Sequence, residues 1–323
     1  MNGRSARTAG STPAESFRHE ALLYTGAEQF VEGTAAFVRA GLAGDEPVLV
    51  AVIEPRSSML RDELGADARR VQFLDMENVG RNPARIIPAW QEWVDRHVPS
   101  GRGFRGIGEP IWAGRTPEEI LECQQHEQLL NTAFDEGPAW WLLCPYDTAS
   151  LPEAVIERAH HTHPSMLQGD ARTASGSYPH PELSHEAMFG DPLAEPVGPV
   201  RTLYFDRTGL ADARRHVAEF AGPLLGARGA EELVLVASEL MANSLLYGGA
   251  SGRLRLWRQN GNVVCEVHDD GVIVEPLVGR VRPRGTGSGG AGLWVANQLC
   301  DLLQIRSAPG TGTVVRAHMP VVL

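Results

Sequence analysis

Apolar residues recur at three- and four-residue steps over Gln29–Leu42, Pro83–His97 and Pro117–Asp135, which predicts three amphipathic helices. Between them, Pro47–Glu54, Val71–Leu74 and Trp140–Cys144 are short apolar runs rich in β-branched or aromatic residues, and these read as buried strands. Strands alternating with helices predict a mostly parallel sheet in a three-layer α/β domain. The pattern stops at residues 171–199, where five prolines stand among small and polar residues, and a linker is expected there. Beyond it the order changes. A strand at Val200–Asp206 is followed by helices at Leu210–Ala221 and Gly229–Tyr247 and by strands at Arg253–Arg258 and Val263–Asp269. A glycine-rich stretch then leads into a helix from Leu293 to about Cys300, and strands at Leu303–Ser307 and Thr313–Met319 close the chain. This order predicts helices on one side of an antiparallel or mixed sheet, an α/β sandwich. The expected organisation is a tail at 1–16, a first domain at 17–170, the linker at 171–199 and a second domain at 200–323.

A chain of 323 residues exceeds what one hydrophobic core normally holds, in keeping with two domains. No apolar run approaches a membrane span, and no apolar stretch follows the N-terminal arginines, so a cytoplasmic location is expected. Cys123, Cys144, Cys265 and Cys300 stand alone, without the close spacing of a disulfide framework or thiolate zinc site. All 29 basic residues are arginine. Without lysine there is no Walker phosphate loop, no pyridoxal phosphate Schiff base and no protein-kinase strand lysine. Residues 200–323 hold 13 arginines against 11 acids, whereas residues 1–199 hold 16 against 29. The acidic first half would repel nucleic acid, so direct nucleic-acid binding is not expected.

Four short patterns in the second half carry candidate chemistry. Glu239 and Asn243 emerge from one helix face, where an asparagine oxygen suits a hydrated Mg²⁺ ion and a glutamate suits deprotonation of an attacking hydroxyl. Asp269-Asp-Gly271 ends a strand, where a carboxylate can accept from an adenine amino group and the glycine lets the base lie close. Gly285 to Leu293 is a glycine run entering a helix, which frees amides to face a polyphosphate. Gly310-Thr-Gly312-Thr313 enters the last strand, where Thr313 could bond the aspartate or a water beneath the base. Singly, these are also a solvated helix face, an ordinary turn, a flexible linker and a hairpin.

In this order and spacing the four patterns resemble the N, G1, G2 and G3 boxes of the gyrase/Hsp90/histidine-kinase/MutL ATPase superfamily, over nearly all of residues 200–323. The run Leu293–Asp301 and the segment Leu210–Ala218 are most similar to anti-sigma-factor serine kinases of the RsbW type. The resemblance implies a Bergerat fold binding ATP and Mg²⁺, with Asn243 as metal ligand and Glu239 as catalytic base. It implies that Asp269 reads adenine, and that Gly271, Gly290, Gly292, Leu293, Gly312 and Thr313 shape the nucleotide site. The implied partners are an anti-sigma-factor antagonist, phosphorylated on serine or threonine, and a sigma factor that is sequestered; members often form homodimers, although no interface is legible here. The chain departs from the pattern at Tyr247, where histidine is common, and at Ile273, where a second glycine is usual. Arg280, Arg282 and Arg284 fall in the lid, facing phosphate or solvent. A non-catalytic nucleotide switch and a small-molecule sensor stay open as readings. A histidine kinase would need its phosphoacceptor helix, and Ser184-His185-Glu186 lies in the proline-rich stretch instead.

In the first half, Phe17–Tyr24, Gly106–Pro110, Cys144–Asp147 and the histidines His160, His161 and His163 resemble the MEDS sensory domain, a RecA-like α/β fold, over about residues 17–168. The resemblance points to a small-molecule ligand. His19, Tyr24, Glu109, Cys144 and His163 are its candidate residues, with His19, Glu109, Cys144 and His163 expected to gather near the strand ends. Clustered histidines can suggest a metal, but neighbours in a loop rarely all point inward, and caps and surface contacts are the favoured explanation.

Overall fold

The computed structural model describes residues 16–178, 189, 192–283 and 290–322. Ser184, His185, Glu186, Arg284 and the glycines Gly285, Gly287 and Gly289 lie outside the described residues.

The first half alternates strand and helix: β1 (Arg18–Tyr24), α1 (Gly26–Ala43), β2 (Val48–Val52), α2 (Glu54–Leu64), β3 (Val71–Asp75), α3 (Met76–Val79), α4 (Ile86–His97) and β4 (Arg105–Gly108). It continues through α5 (Pro117–Phe134), β5 (Trp141–Asp147), α6 (Glu153–Thr162), β6 (Ser165–Gln168) and β7 (Ala171–Ala174). Among the described residues the strands make a seven-stranded sheet in the order β3-β2-β4-β5-β1-β6-β7, parallel except for β6 with β7. Strand alternation sends Ala21, Leu142 and Cys144 to one core and Leu22, Leu143 and Val50 to the other, so both faces are buried. Helix α5 starts on a capping box: the Thr116 hydroxyl accepts from the Glu119 amide, and the Glu119 carboxylate accepts from the Thr116 amide.

The second half comprises β8 (Arg201–Asp206), α7 (Leu210–Tyr247), β9 (Ser251–Gln259), β10 (Asn262–Asp269), α8 (Ala291–Leu299), β11 (Leu302–Ala308) and β12 (Gly312–Pro320). Its strands pair antiparallel in the order β11-β12-β10-β9-β8, with α7 and α8 packed on one face. Helix α7 is the predicted pair of helices joined at Gly226, whose φ of 69° interrupts the helical path. That left-handed backbone costs glycine little, so the bend sits there and not at nearby Pro223.

The structure adds three features to this picture. Part of the predicted linker is ordered: Ala171–Ala174 forms edge strand β7, and Glu195 and the Ala194 carbonyl engage Arg255 and Arg316 on the outer face of the second sheet. Strands β1 and β4 and helices α2 and α6 were not distinguished by periodicity, because four to eleven residues give too few turns of a pattern. The two halves also share an interface built around Asn82, Glu122, Asn297 and Arg306. No helix among the described residues is long and apolar enough to cross a membrane.

Candidate functional site

A cavity of about 390 Å³ opens between α7, the end of β10 and the start of α8. Leu240, Val267, Ile273, Val278, Leu293 and Val315 make it largely apolar, and Asn243, Tyr247, Asp269, Gly271, Gly290 and Thr313 supply its polar rim. Its volume falls in the usual range of small-molecule sites, roughly 300–1,000 Å³. Glu239, Gly292 and Gly312 are not among its walls. They act one layer behind: a Cβ on Gly292 would stand 2.7 Å from Glu239 Oε2 and 3.0 Å from Asn243 Nδ2, so the missing side chain seats α8 against both. A Cβ on Gly312 would meet the Asp269 carbonyl oxygen at 2.0 Å, and its φ of 76° is unsuited to a side chain.

Local chemistry aims the Asp269 carboxylate. It accepts from the Gly271 amide at 2.8 Å and lies against Gly248, where a Cβ would come within 2.1 Å of it. The Thr313 hydroxyl does not bond the Asp269 carboxylate, although the two residues pair across β10 and β12. That hydroxyl donates to the Gly271 carbonyl at 2.8 Å and shares a 2.7 Å bond with Ser307, whose oxygen accepts from the Ile273 amide. The threonine therefore holds the turn that carries Gly271, and Ile273 fills the wall where a glycine is usual. Asn243 Nδ2 is buried without a hydrogen-bond partner, which is costly unless something at the site completes it. Gly290 caps α8 in a left-handed conformation with φ 93°. Lid residue Arg280 is neither solvated nor free for phosphate: it is buried and paired with Glu122 of α5 at 3.5 Å.

The first-half candidates do not form one group. His19, Cys144 and His163 gather around Glu127 of α5, on the face that α5 and α6 cover. His19 Nε2 and His163 Nε2 lie 3.0 and 3.3 Å from Glu127 Oε2, and Cys144 Sγ lies 3.4 Å from His19 Nε2. Tyr24 and Glu109 sit on the opposite face, where the Tyr24 hydroxyl donates to Glu109 at 3.0 Å and Arg56 pairs with the same carboxylate. Burial, then the adjacent His163, lowers the His19 pKa, so this ring is neutral at pH 7. Burial pushes the Glu127 carboxyl up, but its imidazole neighbours outweigh that and hold it below the usual carboxylate range. The Cys144 thiol is raised by burial and then by Glu127. Of the histidine trio only His163 turns inward; His161 bonds Glu157 at the surface.

Sequence reasoning missed Glu127 and Glu122. The available signal for the first was a carboxylate in the stripe Cys123, Glu127, Leu130, Phe134, whose other members are all buried apolar groups. Glu122 accepts from Arg306 at 2.8 Å and pairs with Arg280, while Arg85 donates to the carbonyls of Asn297, Gln298 and Cys300 at the end of α8. Asn82 bonds Asn297, whose own amide holds the Gly279 carbonyl in the lid. First half, lid and α8 are thus one connected polar network.

No curated protein matches the chain significantly. Family models match two segments: residues 18–164 match the methanogen/methylotroph DcmR sensory domain, MEDS, and residues 205–319 match the histidine kinase-like ATPase domain. The antiparallel sheet with its helical layer is the sandwich of that ATPase class, whose members typically bind ATP with Mg²⁺. The chain therefore carries an N-terminal MEDS sensory domain followed by a histidine kinase-like ATPase domain.

Proposed function

We propose that the protein is an anti-sigma regulatory factor: the second domain binds ATP·Mg²⁺ and phosphorylates a serine or threonine of an anti-sigma-factor antagonist. In this reading it also sequesters a sigma factor, and the first domain controls both activities. The observation that carries the reading is the shared cavity of Asn243, Asp269, Gly271 and Gly290. The residues fit the nucleotide. The apolar walls suit a purine, the Asp269 carboxylate on the rim would accept from its exocyclic amine, and the unpartnered Asn243 Nδ2 would donate to a phosphate oxygen.

Asn243 and Asp269 would hold metal and base, and the Gly290 turn would bring the α8 N-terminus towards the phosphates. Mg²⁺, when bound, neutralises phosphate charge. Asp269 orients the base, and the Thr313–Gly271 bond keeps that turn from drifting. Glu239, half-buried beside Asn243, would accept the proton of the attacking protein hydroxyl. Because Glu239 stands behind Gly292 and outside the cavity walls, a nucleotide-binding switch without phosphotransfer is the second reading.

Incubation of the full chain with labelled ATP and candidate antagonist proteins distinguishes them. Phosphoserine or phosphothreonine on an antagonist, lost in Glu239→Gln while ATP still binds, supports the kinase. ATP binding without transfer to any candidate favours the switch. Asn243→Ala should abolish Mg·ATP binding in a fluorescence titration; unchanged binding would remove the assigned site.

A further inference from the structure

We propose that His19, Glu127, Cys144 and His163 of the MEDS domain form a zinc site. One donor atom from each lies within 4.8 Å of all the others, and all four residues are buried. They come from β1, α5, β5 and the residue capping α6, so the cluster joins four elements.

The hydrogen bonds around the cluster decide what it can hold. The Ala159 carbonyl can only accept, so His163 Nδ1, 3.0 Å away, carries a proton. Asn131 donates through its amide nitrogen to the Thr162 carbonyl at 2.8 Å, which leaves its oxygen facing His19 Nδ1 at 3.0 Å. That nitrogen also carries a proton. With Nδ1 of each ring engaged by an outer acceptor, Nε2 is the atom left facing inward, and both Nε2 atoms meet Glu127 Oε2. The Cys144 sulfur, on the same side, lies 3.4 Å from His19 Nε2. One proton shared between His19 and Glu127 would leave the rest unsatisfied: His163 Nε2 and Glu127 Oε1 are buried with no hydrogen-bond partner. A divalent ion at the centre satisfies all four donors.

Two imidazoles, a carboxylate and a thiolate are the borderline donor set that zinc prefers in four-coordinate sites. Zinc bonds of about 2.0–2.3 Å place tetrahedral donors roughly 3.3–3.8 Å apart. The contacts of 3.0, 3.3 and 3.4 Å need only a small expansion to reach this. Nδ1–H groups held by a carbonyl and an amide oxygen are the outer bonds that orient metal-binding histidines. With all four ligands supplied by the chain and all four buried, the site is structural or regulatory.

The test uses the full chain, stripped with chelator and titrated with Co²⁺ and then Zn²⁺. We expect one equivalent of Co²⁺ to produce visible tetrahedral bands and a near-ultraviolet sulfur-to-cobalt band, both removed by zinc. Cys144→Ser should lose the near-ultraviolet band, and Asn131→Leu should weaken zinc binding about 10- to 100-fold. A folded chain, judged by circular dichroism, that gives no such bands and takes up no zinc overturns the proposal, as does a sulfur band that survives in Cys144→Ser. Should that variant fail to fold, X-ray absorption of the zinc-loaded wild type decides: one sulfur with three nitrogen or oxygen neighbours supports the site, and any other set overturns it. None of these readouts depends on nucleotide binding.

Discussion

Two glycines that look alike in sequence do different work. The Cβ of Gly292→Ala would press on the ends of two side chains, Glu239 and Asn243, which can move; that of Gly312→Ala would press on a fixed backbone oxygen at positive φ. Gly292→Ala should keep stability within about 1 kcal/mol, a surface-like cost, yet weaken ATP binding at least tenfold in titration. Gly312→Ala should instead destabilise the protein by about 3 kcal/mol or more in urea unfolding, since strain and a backbone clash add. His318 shows how burial sets pH dependence. Burial, followed by the charge of Arg316, lowers its pKa from 6.5 to about 4. The unfolded chain therefore takes up a proton near pH 6.5 that the folded chain refuses until about pH 4. Stability contributed by neutral His318 is complete above pH 6.5 and falls as pH drops through that window, at up to about 1.4 kcal/mol per pH unit. Urea unfolding between pH 7.5 and 4.5 should show this slope, and His318→Gln should reduce it by up to about 1.4 kcal/mol per pH unit, leaving the part contributed by buried His19 and His126.

At the scale of elements, short helix α8 depends on a residue from the other domain. Its last carbonyls, at Asn297 and Gln298, and that of the following Cys300, receive the Arg85 guanidinium, which also places positive charge at the negative end of the helix dipole. Arg85→Ala should cost about 1–3 kcal/mol and accelerate hydrogen exchange of the α8 amides while leaving those of α7 unchanged. This contact was illegible beforehand, because nothing local marks an arginine as the cap of a helix 212 residues away. Elements with a full period were legible: α1, α4 and α5 each present several turns of apolar repeat, β9 alternates arginine with leucine, and β10 and β12 carry β-branched residues along their length. Strand β1 was not, because all but its first residue are buried and no alternation remains to be read.

For the whole molecule, Glu122 ties the first domain to the second. It lies on α5, five residues before Glu127, and receives Arg306 of the ATPase sheet and Arg280 of the lid. Replacing it removes the anion that these two buried guanidinium groups share, so Glu122→Gln should destabilise the chain by about 1–3 kcal/mol. If the domains communicate through this contact, unfolding of the variant should separate into two transitions where the wild type shows one. The same calorimetric scan with and without ATP would show whether the nucleotide still stabilises the first domain.

The sequence by itself determined the alternation of strand and helix, the seam after the first domain and the nucleotide boxes. Periodicity, proline density and glycine placement are local constraints that act on neighbouring residues. It also brought Asn243 and Glu239 to one face, since four residues make about one helical turn. Tertiary structure alone decided that His19 and Cys144 meet Glu127 rather than Glu109, and that Arg280 serves an ion pair rather than a phosphate. Those choices depend on which sheet face a side chain takes and which helix covers it. His19 and Glu127, 108 residues apart, become neighbours only when β1 is inserted between β5 and β6 beneath α5.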